Sequence, residues 1–289
     1  MSRSSTDRFF GLILGGVAIF SGGLVLLIVG FLILGSFPIL ESGRLANLFT
    51  DETWRPGSDR DPQFGILPML VASFLVTLLA IGIAAPLGVA SSVFHHFYLS
   101  EQLRRWNRRM LELLAGVPSV VFGFWGLTVI VPAVNRIEPP GQSLLAAALV
   151  LGLMIVPTVA LTSQAALGAI PNYQLLAAAG LGLGRGQTIL NIALPASRNG
   201  IMGGILLAIA RAVGETMAVV MVCGNIPEMP SSLFDPVRPV TATIALEMGY
   251  ASSTHQALLF AAGLLLVLAT GAIVGWLPFR RNENESAVG

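Results

Sequence analysis

Six apolar stretches, each long enough as a helix to cross a bilayer, dominate this chain: residues 11–34, 66–93, 113–134, 144–168, 201–223 and 256–278. Hydrocarbon offers no water to backbone N–H and C=O groups, so a spanning segment must close its hydrogen bonds as a helix. About 20 mostly apolar residues suffice. The expected fold class is therefore all-α, a polytopic membrane protein with six transmembrane helices. Charge agrees, since only 11% of residues are charged against about 25% in a soluble domain. The first run exceeds the 7–15 residues of a signal-peptide core, so it is expected to stay as a first membrane helix. The second is long enough to tilt or to extend past the bilayer.

Arginines in the connecting loops set the expected orientation. With the N-terminus inside, ten arginines fall on the cytoplasmic side: Arg3, Arg8, Arg104, Arg105, Arg108, Arg109, Arg185, Arg198, Arg280 and Arg281. Five fall outside, Arg44, Arg55, Arg60, Arg136 and Arg238, together with nine acids that include Asp51, Glu52, Asp59, Asp61 and Asp235. Both termini are expected in the cytoplasm. The net charge of +1 gives no ground for a nucleic-acid partner.

Two loops are long. Residues 36–65 are polar and external, suited to meeting something outside or simply solvated. Residues 169–200 are internal and patterned. Pro171 opens a short helix through Leu176, Ala177 and Ala178. Gly180, Gly182, Gly184 and Gly186 then permit a turn with positive φ, and a second short helix ends at Leu194-Pro195. Such a helix–turn–helix can dock into a partner protein or lie on the membrane surface.

Several chemistries are excluded. All 16 basic residues are arginine, so no Walker A lysine exists to reach a nucleotide's phosphates; if ATP is used, another chain hydrolyses it. The single Cys223 rules out an internal disulfide and reads as a small packing residue. His95 and His96 are adjacent, about 100° apart on a helix, and poorly placed to share a metal. No intramembrane enzyme motif occurs, and no cofactor or metal is expected.

The costliest residues lie in the fifth stretch. A charge at the centre of a membrane helix costs about 2.5–3.5 kcal/mol on insertion scales and is usually functional. Arg211 and Glu215 are spaced i,i+4, which places both on one face of a continuous helix. They lie beside a stripe of small residues, Gly200, Gly204, Ala208 and Ala212, that permits close helix contact. The pair either locks two helices together or lines a water-accessible path. In the second case Arg211 attracts an oxyanion through its planar fork and Glu215 orients it. Thr216 adjoins them. The third stretch begins Gly116-Val117-Pro118-Ser119, either a kink or a broken helix facing a cavity. Pro157, near Thr158 and Thr162, poses the same choice.

Leu176-Ala177-Ala178, Gly182 and Leu194-Pro195 resemble the EAA loop of ABC-importer permeases, with Leu176 where that family carries its glutamate. More specifically, G-V-P-S-V-V-F-G-F-W-G over 116–126, R-A-V-G-E-T-M-A-V over 211–219, and D-P-V-R (235–238) with T-A-T-I-A-L-E (241–247) resemble permease subunits of bacterial phosphate importers. The similarity runs over about residues 65–278.

The resemblance implies a type I ABC-importer permease fold in the inner membrane. Its parts would be an N-terminal segment, first helix and external loop (1–65), a permease core (66–278) with a coupling loop (169–200), and a tail (279–289). The implied activity is ATP-driven import of inorganic phosphate. The implied partners are a PstA-like sibling permease, two PstB-like ATPases and a PstS-like phosphate-binding protein. Arg211, Glu215, Ser119 and Thr216 would line the pathway, and Leu176, Ala177, Ala178, Gly182, Leu194 and Pro195 would form the ATPase-coupling loop. Leu176 weakens any charged contact there and leaves an apolar ridge. A permease for sulfate or molybdate, or a transporter acting alone, are the rival readings.

Overall fold

The structure, a computed structural model, describes residues 5–41, 51, 53–56 and 63–285. Arg3, Arg44, Arg60, Glu52, Asp59 and Asp61, counted above toward orientation, lie outside them, as does part of the 36–65 loop.

Helix α1 (Ser5–Glu41) packs on α12 (Ser253–Glu285), with Phe31 set edge-on to Phe260. A two-stranded ribbon, β1 (Trp54–Arg55) and β2 (Gln63–Phe64), precedes α2 (Leu67–Phe97). Helix α3 (Glu101–Gly116) follows, and then three collinear pieces: α4 (Ser119–Trp125), a π turn (Gly126–Ile130) and α5 (Val131–Asn135). Helix α6 (Leu144–Gly168) returns to α7 (Asn172–Gly180) and α8 (Arg185–Thr188). A second π turn (Ile189–Ala193) leads into α9 (Leu194–Val213), then α10 (Met217–Val222), α11 (Val240–Glu247) and α12.

Helix α6 is the centre. It is apolar on every side, the pattern of a helix surrounded by others, and α2, α9 and α3 all pack on it. Its bounds coincide with the expected stretch, capped where Ser143 Oγ accepts from Ala146 N at 3.2 Å. Pro157 does not break it. Helix α2 meets it through residues recurring every fourth position, Ala72, Val76, Ala80, Ala84, Gly88 and Ser92, all buried. Close approach leaves no room at Gly88, where an added Cβ would stand 2.7 Å from Val159 Cβ.

The small-residue stripe of α9 serves the same purpose. Gly204, Ala208 and Ala212 are buried, and a Cβ on Gly204 would collide with Thr162 Oγ1. Gly204→Val is therefore expected to cost about 1–3 kcal/mol by overpacking, read as a lower melting temperature of the extracted protein. Unchanged melting would show that α9 and α6 do not touch there.

Three expectations about spans need correction. The third does not begin at residue 113: Leu113 to Gly116 finish α3, and the chain bends by 91° between Glu101–Gly116 and Ser119–Asn135. Pro118 favours extended backbone at Val117 (ψ 129°), which ends the helix. Five helices are long and apolar enough to span, six with this bent pair. Second, Pro195 ends no helix, since Arg185–Val213 is one continuous span. A π turn precedes both Pro195 and Pro132, with Leu194 N bonded to Ile189 O and Val131 N to Gly126 O. The widened turn accommodates a ring that would clash in a regular helix and has no N–H to donate. Third, the fifth span breaks after Val213.

Candidate functional site

That break sits at the pair of charges. Arg211 occupies the last turn of α9, about 25 Å along the axis from Leu194 at 1.5 Å per residue. Gly214 caps α9, Glu215 N bonds Ala212 O, and α10 starts anew at Met217. Arg211 and Glu215 are therefore not on one continuous helical face, and i,i+4 geometry fails for them. Among the described residues the ion pairs are Arg108–Glu112, Arg238–Glu247 and His255–Glu247. Glu215 does not orient Arg211 in this structure.

Each charge has another role. Arg211 is exposed, on the same side as Leu207 and away from the buried stripe. Its Nη1 donates one long hydrogen bond, 3.4 Å, to Thr158 Oγ1 of α6. Glu215 Oε1 accepts from Ala218 N at 3.2 Å, satisfying a free donor at the start of α10. Glu215's carbonyl accepts from Thr241 Oγ1 at 2.8 Å, so α11 holds the break in place. Glu215 also faces a crevice of about 10 Å³, space for about one water, that Ser73, Thr77 and Thr241 line with it. Thr216 turns its hydroxyl back to Gly214 O at 3.4 Å.

Ser119 opens α4 at the 91° bend. Helix α4 leans on α10, where a Cβ on Gly123 would lie 2.9 Å from Ala218 Cα. No hydrogen bond joins Ser119 to Arg211 among the described residues. The structure thus brings Thr158 to Arg211, and Thr241 to Glu215, as partners that spacing could not reveal.

Residues 169–184 form a compact end piece, while 185–200, expected in the same loop, already belong to the span Arg185–Val213. Helix α7 closes with Leu183 N bonded to Ala178 O and Gly182 N to Ala179 O. Gly182 adopts φ +74°. This is the left-handed helix end that glycine tolerates best. Ala178 is buried, Ala193 and Ile170 pack beneath, and Tyr173, Leu176, Leu181 and Leu190 stand 69, 71, 79 and 66% exposed. Leu176 thus belongs to an uncovered apolar ridge. Leu194 and Pro195 lie in the continuous span behind it.

At the opposite end lies a cluster that sequence reading missed. Glu247 Oε2 accepts from Trp54 Nε1 at 2.9 Å and pairs with His255 Nε2 at 2.9 Å, while Oε1 pairs with Arg238 Nη1. Arg238 Nε also donates to Asn225 O at 2.7 Å. Glu247 and His255 are each 4% exposed. The carboxylate ties the β-ribbon, the loop after α10, α11 and α12 together. Nearby, Asp235 accepts from Ser231 Oγ and from the N–H groups of Ser231 and Ser232. These bonds, the Ser231 hydroxyl foremost, hold its carboxyl below the usual carboxylate range.

Comparisons with known proteins agree with this architecture. The family of binding-protein-dependent transport system inner membrane components matches residues 82–278. The chain is 39% identical to the probable ABC transporter permease protein YqgH of Bacillus subtilis, over 82% of this chain and 76% of that one. It is 33% identical to the phosphate transport system permease protein PstC of Mesorhizobium japonicum, over 91% and 82%. Among solved structures, it resembles a bacterial alginate ABC transporter chain with a TM-score of 0.64, covering 96% of each at 13% identity. It also resembles a chain of the MetNI methionine ABC transporter, at a TM-score of 0.54 and 19% identity. At these identities the two structures speak for the fold alone.

Proposed function

The chain belongs to the family of binding-protein-dependent transport inner-membrane components, and we propose that it forms half of the membrane pathway of an ATP-driven importer of inorganic phosphate. It is a transport subunit, not an enzyme. The sibling half is a PstA-like permease, the energy comes from two PstB-like ATPases, and phosphate arrives on a PstS-like binding protein.

The observation that carries this reading is Arg211. Its guanidinium sits in an apolar span, exposed, with one hydrogen bond of 3.4 Å from its own chain. An arginine so poorly answered inside a membrane faces a water-filled path or a second subunit. Its five donors in a planar fork suit a tetrahedral oxyanion. The relatives named for phosphate transport supply the substrate class.

Both termini lie in the cytoplasm, with the α7–α8 end facing the ATPases. The exposed ridge of Tyr173, Leu176, Leu181 and Leu190 docks there by apolar contact. ATP-driven closure draws these ridges together and turns the path outward; hydrolysis resets it. Arg211 lines the path with Thr158, Ser119 and Thr216 near the breaks that α4 and α10 introduce. Glu215 maintains the break rather than meeting the anion.

The assembled transporter with its binding protein, fed radiolabelled phosphate, tests the substrate. Unlabelled phosphate is expected to suppress uptake, and equal sulfate or molybdate to leave it unchanged. Suppression by sulfate or molybdate at lower concentration than phosphate would transfer the assignment to that anion.

A further inference from the structure

A threonine or serine in an apolar helix has a partner at hand. Its hydroxyl can donate to the carbonyl three or four residues back in the same helix, and leaving it unanswered among apolar groups is costly. Ser73, Thr128, Thr162, Ser197 and Thr270 do this, donating to the carbonyls of Met69, Phe124, Thr158, Ala193 and Leu266 at 2.6–2.9 Å. Thr158 of α6 does not. Its Oγ1 makes one hydrogen bond among the described residues, and there it is the acceptor, with Arg211 Nη1 at 3.4 Å.

A guanidinium has donors and no acceptor, so the Thr158 hydroxyl proton points away from Arg211. Nothing among the described residues receives it. The other N–H groups of Arg211 have no partner there either. Arg211 is exposed and Thr158 half-buried, so both donors are within reach from outside the chain. They stand on two helices packed closely together, since Ala208 and Ala212 of α9 are buried and Thr162 of α6 fills the space beside Gly204. Two unspent donors side by side, one of them charged, suit a ligand that accepts at several atoms. A tetrahedral oxyanion does so, with two oxygens on the guanidinium fork and a third toward the hydroxyl.

We propose that Thr158 is a second substrate-contacting residue, which donates its hydroxyl proton to an oxygen of the anion that Arg211 holds. Its oxygen meanwhile accepts from Arg211 and keeps the guanidinium aimed at the same anion, so one hydroxyl both positions and binds. This role rests on the oxyanion path read from Arg211 and goes beyond it: α6, the central helix, supplies a binding group of its own opposite α9.

Uptake of radiolabelled phosphate by the full transporter with its binding protein, normalised to assembled complex, provides the test. Thr158→Val keeps the side chain's shape and removes the hydroxyl, and uptake is expected to fall about tenfold, as for the loss of one hydrogen bond to an anion. Thr158→Ser keeps the hydroxyl and is expected to recover most of that loss. In an Arg211→Gln background, Thr158→Val is expected to cost nothing more, because two groups acting on one anion do not have additive effects. Wild-type uptake by Thr158→Val would overturn the role and leave the path reading of Arg211 standing. So would a Thr158→Ser protein as poor as Thr158→Val, or a further tenfold loss on top of Arg211→Gln. Normal uptake by Arg211→Gln alone would remove the path reading, and the role of Thr158 with it.

Discussion

Arg211→Gln is expected to lower phosphate uptake about a hundredfold while the protein still assembles with its sibling permease and ATPases. One charged hydrogen bond contributes about 1.5–3 kcal/mol, and about 2.7 kcal/mol corresponds to that factor of a hundred. Stability is expected to change little, because among the described residues the wild-type side chain makes one hydrogen bond of 3.4 Å and no ion pair. Arg211→Lys keeps the charge but loses the planar fork, and its uptake should fall between the two. A helix-locking role predicts the reverse: poor assembly with uptake lost only in proportion. Uptake at low external phosphate, normalised to assembled complex in the membrane, separates them. Normal uptake by Arg211→Gln removes Arg211 from the pathway.

Glu247→Ala is expected to be the most damaging substitution for stability. It leaves Trp54 Nε1, Arg238 and His255 facing an empty site. Breaking a buried pair by removing one partner costs about 3–5 kcal/mol, chiefly because the other charge stays buried without an answer. The double variant Glu247→Leu with Arg238→Met removes both charges, and is expected to recover much of the loss. Melting of the extracted protein reads both. A Glu247→Ala protein as stable as wild type would show that the cluster does not hold the ribbon, α11 and α12 together.

How legible the chain was depends on which interactions set each element. The bounds of α6 could be read directly, because a helix apolar on all sides with Ser143 at its cap is specified by its own residues. Helix α3 escaped notice because arginines at 104, 105, 108 and 109 fail any test of mean apolarity. Its apolar face recurs at helical spacing and was there to be counted. The every-fourth-residue run of small side chains in α2 was equally open to view.

The break between Arg211 and Glu215 was not. Its apolar flanks read as one helix, and what interrupts them is held by Thr241, 26 residues away. The Glu247 cluster spans 193 residues to Trp54, a distance at which periodicity carries no information. Spacing arguments fail where a distant part of the chain supplies the hydrogen bond.

The most direct test of the pathway assignment is phosphate accumulation in vesicles rebuilt from purified parts. The chain, its sibling permease, the ATPases and the phosphate-loaded binding protein are combined, and each is omitted in turn. Accumulation is expected only with all four and ATP, and is expected to vanish when Arg211→Gln replaces the wild-type chain. Phosphate flux through vesicles that hold this chain alone, without ATPase or nucleotide, would contradict the account.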